Sequence, residues 1–203
     1  DNNDFLTYVQ DFDIICFTET HIRSDFNLTA FPEFDSFTAD AHKLSKHGRL
    51  ACGVVVLVRK SLTLFVDHIS VDVENVVVLK LKKDLLHSDK DTILIACYLP
   101  PYDSNFWNIS NNGYGLEAIE KCLLDVHESI PDCYVILCGD LNARTGIQNC
   151  SDDPDDFDVL SPPDDNAFRR SSQDKVTNAF GEQLVELCNM VDCIILNGLS
   201  DYA

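Results

Sequence analysis

The sequence predicts an α/β (α+β) fold in which two mixed or antiparallel sheets pack together and helices cover them. Two observations lead to this prediction. Several short runs are apolar on both faces, as in buried strands, and two later segments carry apolar residues at helical spacing. Strands that follow one another and then alternate with helices favour a two-sheet sandwich with helices outside.

The first part of the chain predicts a short helix and two buried strands. Apolar residues at helical spacing between Phe5 and Phe12 indicate the helix, and residues 13–18 form a compact apolar run. Residues 20–50 are polar and irregular and contain turn signals, so no strand is predicted there. Residues 53–58 form the second run that is apolar throughout.

The middle of the chain predicts two strands, a helix and a further strand. Residues 71–82 alternate between apolar and polar at both ends, which is typical of one long antiparallel strand. Residues 92–98 form the next strand, because Pro100-Pro101 halts the apolar run. Residues 114–130 have helical spacing, and residues 133–138 form another buried strand.

The last part predicts a long loop, a helix and a final strand. Residues 143–172 are acidic and contain proline, and loops of that length are usually functional or disordered. Residues 174–191 have helical spacing, and Gly181 inside this helix indicates close packing. Residues 193–196 begin a last strand. The length of the chain predicts a single domain over residues 1–203.

The charge balance limits the function classes. With 34 Asp and Glu against 15 Lys and Arg, the net charge is −19. Tight, non-specific binding of nucleic acid is therefore not expected, since it depends on neutralising phosphates with basic side chains. A nuclease is still compatible with this charge, because an enzyme needs a local positive strip and a divalent cation, which carboxylates hold.

The cysteines and the N-terminal residues predict an intracellular protein, cytoplasmic or nuclear. Nine cysteines, several inside apolar runs, are an odd number and favour a reducing compartment. The sequence has no Cys-x-x-Cys pair, which argues against a structural zinc site. It has no signal peptide and no apolar run long enough for a membrane span, so no membrane association is expected.

Polar residues follow three of the predicted buried strands. They are Glu19, Tyr98, and the pair Asp140 and Asn142. Strand ends can bring such side chains into one cleft, and carboxylates gathered there suit Mg²⁺. Each residue alone also has an ordinary explanation: a solvated glutamate, a core tyrosine with a wet hydroxyl, or an Asx turn.

Four motifs occur together in the order and rough spacing of one family. They are Glu19-Thr20-His21, residues 53–59, Tyr98-Leu99-Pro100-Pro101 and Gly139-Asp140-Leu141-Asn142-Ala143. Together they resemble the endonuclease/exonuclease/phosphatase superfamily, which includes AP endonucleases and DNase I-like enzymes. The resemblance implies a four-layered α/β sandwich.

The endonuclease domain of non-LTR retrotransposons is the branch that the chain resembles most. That similarity rests on Arg170-x-Ser172-x-Asp174, followed by Asn178, Gly181 and Leu184. It implies DNA as the substrate, no obligate protein partner, and a downstream reverse transcriptase in the same polyprotein.

The resemblance also implies roles for the four strand-end residues. Glu19 would be a ligand of Mg²⁺ or Mn²⁺, and Tyr98 would donate a hydrogen bond to the phosphate. Asp140 would orient or deprotonate the attacking water, and Asn142 would contact water and phosphate. The physical logic is that cations and neutral donors offset the charge that develops on phosphorus-bound oxygens.

Two parts of the family pattern have no counterpart in this sequence. They are the first strand, which carries a metal-site asparagine, and the C-terminal strands, which carry aspartates and a Ser-Asp-His segment. We therefore expect an incomplete sandwich, truncated at both ends, with weak activity or none.

Three functional hypotheses follow. The first is Mg²⁺-dependent hydrolysis of phosphodiesters by a DNA endonuclease of the retrotransposon type. The second is a phosphatase of the same superfamily that acts on small-molecule or lipid phosphates. The third is a catalytically dead remnant that serves as a binding module or has no function.

Overall fold

The structure is a computed structural model that describes residues 2–24, 29–111, 113–148 and 172–198. The chain divides into two compact units, Asp1–Leu141 and Asn142–Ala203. That these units form one domain over residues 1–203 stays a prediction.

Among the described residues, the first unit contains nine strands and three of the four α-helices. Its strands are β1 (Ile14–Thr18), β2 (Phe34–Ala39), β3 (His42–Lys43), β4 (Leu50–Ala51), β5 (Val54–Arg59), β6 (Val66–Ile69), β7 (Val76–Leu81), β8 (Asp91–Tyr98) and β9 (Cys133–Asp140). Its helices are α1 (Asn2–Val9), α2 (Lys83–Leu86) and α3 (Glu117–Ser129), with 3-10 turns at Lys60–Phe65 and Asn105–Asn108. The second unit contains α4 (Ala179–Met190).

The first sheet has the order β1-β5-β2, and both of its pairings are antiparallel. Its central strand is buried on both faces from Val54 to Val58, which explains why this part of β5 is entirely apolar. Val54, Val56 and Val58 belong to the core cluster shared with the second sheet. Val55 and Leu57 point to the opposite face, where they pack in a separate aromatic-rich cluster.

The second sheet has the order β6-β7-β8-β9 and is mixed. β6, β7 and β8 pair antiparallel, whereas β8 and β9 are parallel. Parallel neighbours need a crossover connection, and α3 supplies it between these two strands. Val77, Leu79 and Ala96 of this sheet pack into the same cluster as the valines of β5. The two sheets therefore face each other across one apolar core, as predicted, with helices in the same fold.

Three helices overlap their predicted segments. α3 and α4 lie inside the segments that show helical spacing, and each is a few residues shorter than its segment. α1 begins and ends three residues earlier than the segment between Phe5 and Phe12, and α2 was not predicted. Within the described residues, no helix is both long and apolar enough to cross a bilayer.

Three strand predictions are wrong in part. Residues 20–50 contain β2, β3 and the start of β4, and these strands were not predicted because the sequence there is polar. In β2 the polar residues are accommodated because it is an edge strand with mostly half-exposed side chains. The strand predicted over 71–82 covers only Val76–Leu81, because Asn75 adopts a left-handed backbone with φ +58° and interrupts it. β6 precedes this break and was not predicted.

The strand predicted at residues 193–196 is also wrong. The structure describes these residues and finds no strand there. Ile194 is 56% exposed and Leu196 72% exposed, so these two apolar side chains are not buried against the described part of the chain. Most of the loop predicted over 143–172 lies outside the described residues.

Gly139 lies where the backbones of β8 and β9 approach each other closely. Its φ is +123°, and a Cβ placed there would lie 1.9 Å from the backbone oxygen of Cys97. We expect Gly139→Ala to lower the free energy of unfolding by about 3 kcal/mol, because strand backbone must shift and the residue is strained. Urea denaturation measures this change.

Gly48→Ala is the matched control. An added Cβ there would meet the hydroxyl of Ser45, which can rotate away. We expect a change within about 0.5 kcal/mol. Equal effects of the two substitutions would contradict the close approach at Gly139.

Candidate active site

Glu19 and Tyr98 meet across the two sheets. Glu19 directly follows β1 of the first sheet, and Tyr98 ends β8 of the second. The Tyr98 hydroxyl donates a hydrogen bond of 2.6 Å to Oε1 of Glu19. The ring of Tyr98 is buried, whereas Glu19 is exposed. An anchored ring thus holds an accessible carboxylate at the mouth of the sandwich.

Asp140 lies beside Tyr98 at the carboxyl end of the parallel pair. The two residues are partners in the register of β8 and β9. The pairing continues one residue further, since the backbone N–H of Leu99 donates to the Asp140 carbonyl at 2.9 Å. Asp140 is exposed, and its negative charge reaches the Tyr98 hydroxyl. The structure therefore brings Glu19, Tyr98 and Asp140 to one edge, while their roles stay predictions.

Asn75 is a positioning residue that the sequence analysis missed. It is 2% exposed, and its carbonyl accepts the backbone N–H of Tyr98 at 3.0 Å. Its Oδ1 accepts the N–H of Gly53 at 3.4 Å, and the Gly53 carbonyl accepts the N–H of Thr20 at 3.2 Å. Together with the bond from Tyr98 to Glu19, these contacts close a ring around the site. The signal was present: Asn75 is a polar residue on the apolar side of the alternating pattern.

The backbone around this ring is unusually rich in left-handed conformations. Glu19, His21, Cys52 and Asn75 all have φ between 50° and 65° although none is glycine. Such residues each cost of order 1–3 kcal/mol and persist where the surroundings fix them. Here backbone hydrogen bonds in and beside the ring fix them, so the chain turns sharply, with Glu19 and His21 exposed and Cys52 and Asn75 buried.

Burial and the neighbouring carboxylates raise the pKa of Tyr98. Burial raises the pKa of Tyr98 most, and the hydrogen bond to Glu19 and the charge of that carboxylate raise it further. Burial and the Glu19 charge likewise raise the pKa of Cys52 to about 11. Tyr98 is therefore a hydrogen-bond donor at neutral pH and not a phenolate.

The donor set fits a cation that is only partly held by protein. Among the described residues, no group of three or more His, Cys, Asp or Glu side chains could together hold a metal ion. Mg²⁺ is often bound by one or two carboxylates, with water and substrate phosphate completing its shell. Glu19 suits that mode, because Tyr98 occupies Oε1 and Glu19 has no ion pair within the described part of the chain. Next to it, the buried hydroxyl of Thr20 has no hydrogen-bond partner among the described residues, which marks a polar site that a bound water would satisfy.

Asn142 belongs to the second unit. Its backbone is left-handed, with φ +49°, and its carbonyl accepts a hydrogen bond of 2.9 Å from Nδ2 of Asn178. Oδ1 of Asn178 accepts the N–H groups of Arg144 at 3.0 Å and of Gly181 at 2.8 Å. One side chain thus caps α4 and holds the segment that follows Asp140 in the chain. The role of Asn142 itself stays a prediction.

Two further contacts explain the residues around Asn178. A Cβ on Gly181 would lie 1.9 Å from the Arg144 carbonyl oxygen, which confirms the predicted close packing. The Arg144 guanidinium pairs with both carboxylate oxygens of Asp174, at 2.7 and 2.9 Å. This ion pair lowers the pKa of Asp174, chiefly through the hydrogen bond from Arg144. Ser172 donates to the Asp174 carbonyl at 2.8 Å, and Arg170 lies outside the described residues.

Comparisons with known proteins agree with this architecture. A model of the Endonuclease/Exonuclease/phosphatase family matches residues 1–171, which confirms the predicted superfamily. A comparison with curated proteins gives no match. Similar solved structures include TDP2 from C. elegans, at 14% identity and a TM-score of 0.42, with 72% of this chain and 46% of that chain covered. The human Nocturnin catalytic domain with bound sulfate is similar at 14% identity and a TM-score of 0.44, with 70% and 57% covered.

The chain therefore spans about half the length of the solved structures to which it is similar. The family consists of hydrolytic nucleases and phosphodiesterases that generally depend on a divalent metal ion.

The pKa of Tyr98 tests the bond to Glu19. We expect Glu19→Gln to lower this pKa, because the substitution removes the negative charge that opposes ionisation. Burial should still keep it above the ordinary value of about 10. NMR titration of ring-labelled tyrosine measures the shift.

Glu33→Gln is the control, since Glu33 is an exposed glutamate of the same unit. The raised pKa of Tyr98 also determines how the free energy of unfolding depends on pH. The contribution of the protonated phenol is complete below pH of about 10 and is lost as pH rises through the folded-state pKa. An unchanged Tyr98 titration in Glu19→Gln would show that the two side chains do not interact.

Proposed function

The chain belongs to the endonuclease/exonuclease/phosphatase family, and we propose that it hydrolyses phosphodiester bonds of DNA with Mg²⁺ or Mn²⁺ as cofactor. The observation that carries this proposal is the meeting of Glu19 and Tyr98 across the sheets, with Asp140 in register beside Tyr98. These residues combine a carboxylate for a cation, a neutral donor and a carboxylate that can accept a proton. Hydrolysis of a phosphodiester needs all three.

In the proposed reaction, the oxygen of a water molecule attacks phosphorus, and the bond from phosphorus to the leaving oxygen breaks. The leaving oxygen keeps the electron pair of that bond and takes a proton from solvent water. Asp140 accepts the proton of that water as its oxygen becomes a nucleophile. The Tyr98 hydroxyl can donate one hydrogen bond, and in the absence of substrate it donates this bond to Glu19. In the complex with substrate it donates the bond to a phosphate oxygen instead, and the negative charge on that oxygen increases during the reaction. Its raised pKa suits this role, because the proton stays on the phenol.

Glu19 would hold the cation through its carboxylate. Mg²⁺, when bound, neutralises charge on the phosphate oxygens and offsets the repulsion between the substrate and two carboxylates. Without such neutralisation Glu19 and Asp140 would disfavour a phosphate beside Tyr98.

We further propose an endonuclease of the retrotransposon type. The support is the similarity of Ser172, Asp174, Asn178 and Gly181 to that branch, together with the contacts that these residues make. Asn178 joins the segment of Asn142 to the start of α4 through three hydrogen bonds. Asn142 would then contact the phosphate and the attacking water. In this proposal a reverse transcriptase follows in the same polyprotein.

A phosphatase that acts on small-molecule or lipid phosphates is the second candidate. The net charge of −19 favours it, because a small anion needs less basic surface than a nucleic acid. Turnover of inositol phosphates without cleavage of DNA would decide for this candidate.

Nicking of supercoiled plasmid in the presence of Mg²⁺ tests the leading proposal. We expect Asp140→Asn to slow nicking by about 100-fold or more, because the amide cannot accept the proton of the attacking water. Agarose gels that resolve supercoiled from nicked plasmid give the rates.

Asp125→Asn is the matched control, since Asp125 is an exposed aspartate on α3, away from the strand ends. It should nick at the rate of the parent chain. Measurable and equal nicking by the parent chain and Asp140→Asn would exclude Asp140 as the proton acceptor.

A further inference from the structure

One hairpin beside the site is basic in a chain that is otherwise acidic. β3 and β4 pair antiparallel and, with their connection, form residues 42–51. This segment, the basic hairpin, contains Lys43, Lys46 and Arg49 and no Asp or Glu, against a net charge of −19 for the whole chain. The basic hairpin is thus a local reversal of the overall charge.

The register of the first sheet places the basic hairpin at the edge that carries Glu19. Val54 pairs with Thr18 on one side and with Ala39 on the other. The end of β2, the start of β5 and the end of β1 are therefore neighbours. The chain leaves the sheet after Ala39, forms the basic hairpin and returns to the sheet at Val54, which lies beside Thr18. Glu19 is the next residue after Thr18.

Backbone hydrogen bonds join both arms of the basic hairpin to the segment after Glu19. The N–H of Ala41, just before it, donates to the Ile22 carbonyl at 2.9 Å. The carbonyl of Cys52, just after it, accepts the N–H of His21 at 2.9 Å. Movement of the hairpin base would therefore disturb the ring that positions Glu19.

The basic hairpin is packed onto the core. Leu44 and Ala51 contact the main apolar cluster, and the His42 ring lies 5.4 Å from the buried ring of Phe106. Its apolar side chains face inward, while Lys43, Lys46 and Arg49 are exposed. Among the residues that the structure describes, none of these three has an acidic partner. Their charges are therefore exposed on a hairpin that is packed onto the core, where a ligand can reach them.

We propose that the basic hairpin binds the phosphate backbone of the nucleic acid that is cleaved, on the duplex flanking the scissile bond. This inference rests on the proposed function and adds to it the surface that holds the polyanion. Fixed cations beside an acidic site solve a specific problem, since a chain with this net charge repels DNA elsewhere. Anionic membrane is the other polyanion that lysine and arginine can bind. The position of the basic hairpin at the edge with Glu19 and Tyr98 favours nucleic acid.

Binding of a fluorescent 20-base-pair DNA duplex, measured by anisotropy without divalent metal, tests the proposal. We expect the double variant Lys46→Gln/Arg49→Gln to bind about tenfold more weakly at low salt. The slope of log Kd against log salt should fall by roughly 1.8, which is two lost phosphate contacts at about 0.9 each. Lys83→Gln is the control, because Lys83 is exposed at the start of α2, at the opposite end of β8 from Tyr98.

The outcomes separate this inference from the proposed function. Unchanged binding and salt slope in the double variant, or an equal loss in Lys83→Gln, would overturn the role of the basic hairpin. Stronger binding to vesicles of phosphatidylserine and phosphatidylcholine than to the duplex would overturn nucleic acid as its ligand. Binding is measured without turnover, so its failure beside intact Mg²⁺-dependent nicking rejects the basic hairpin alone. If the parent chain binds the duplex but does not nick plasmid with Mg²⁺, only the proposed chemistry is rejected. Circular dichroism of each variant verifies that it is folded.

Discussion

The hydrogen bond between the Tyr98 hydroxyl and Glu19 joins the carboxyl ends of strands from two different sheets. The apolar core between the sheets brings these ends together without specifying how they meet. The bond, with the backbone contacts of Asn75 and Gly53, sets the orientation of the carboxylate. A hydrogen bond to a charged group contributes about 1.5–3 kcal/mol when well shielded, and less when the acceptor is exposed, as Glu19 is. That contribution helps to offset the left-handed backbone at Glu19 and Asn75.

Charge explains why the site combines opposite features. Glu19 and Asp140 make the edge acidic, which adds to the effect of burial in raising the pKa of Tyr98 and suits a divalent cation. The same charges repel a phosphodiester, and both a cation at the site and a basic surface near it offset that repulsion. The basic hairpin supplies such a surface without placing a lysine or arginine next to Glu19. The net charge of the chain is therefore compatible with a nucleic-acid substrate, provided that binding is local.

The sequence predicted β1, β5, β8 and β9 from short apolar runs, and β5 and β8 are indeed buried on both faces. The burial predicted for residues 133–138 is wrong, because β9 is an edge strand on which Tyr134 and Ile136 are about half exposed. β2 and β6 were missed, since each is an edge strand with exposed side chains and mixed composition. The alternating segment before β7 was predicted as one strand because alternation does not report the left-handed turn at Asn75.

The candidate site was predictable only in part. Strand ends identified Glu19, Tyr98 and Asp140 as polar residues after apolar runs, but the pairing of Glu19 with Tyr98 joins positions 79 residues apart. Local periodicity contains no information on such a contact. The resemblance to the family supplied the grouping, and the structure supplied Asn75 and the basic hairpin, whose function depends on which strand ends are neighbours. In the second unit, the cap by Asn178 explains why an asparagine precedes α4, and the close approach of the Arg144 carbonyl explains why a glycine lies within it.

A double-mutant cycle between Glu19 and Tyr98 tests the central claim most directly. The free energies of unfolding of the parent chain, Glu19→Gln, Tyr98→Phe and the double variant would be measured by urea denaturation at neutral pH. The cycle removes the effects that each substitution has by itself and leaves the interaction between the two side chains. We predict a favourable coupling of about 1 kcal/mol. A coupling within about 0.3 kcal/mol of zero would mean that the two residues act independently, and the account of a bridged site would be wrong.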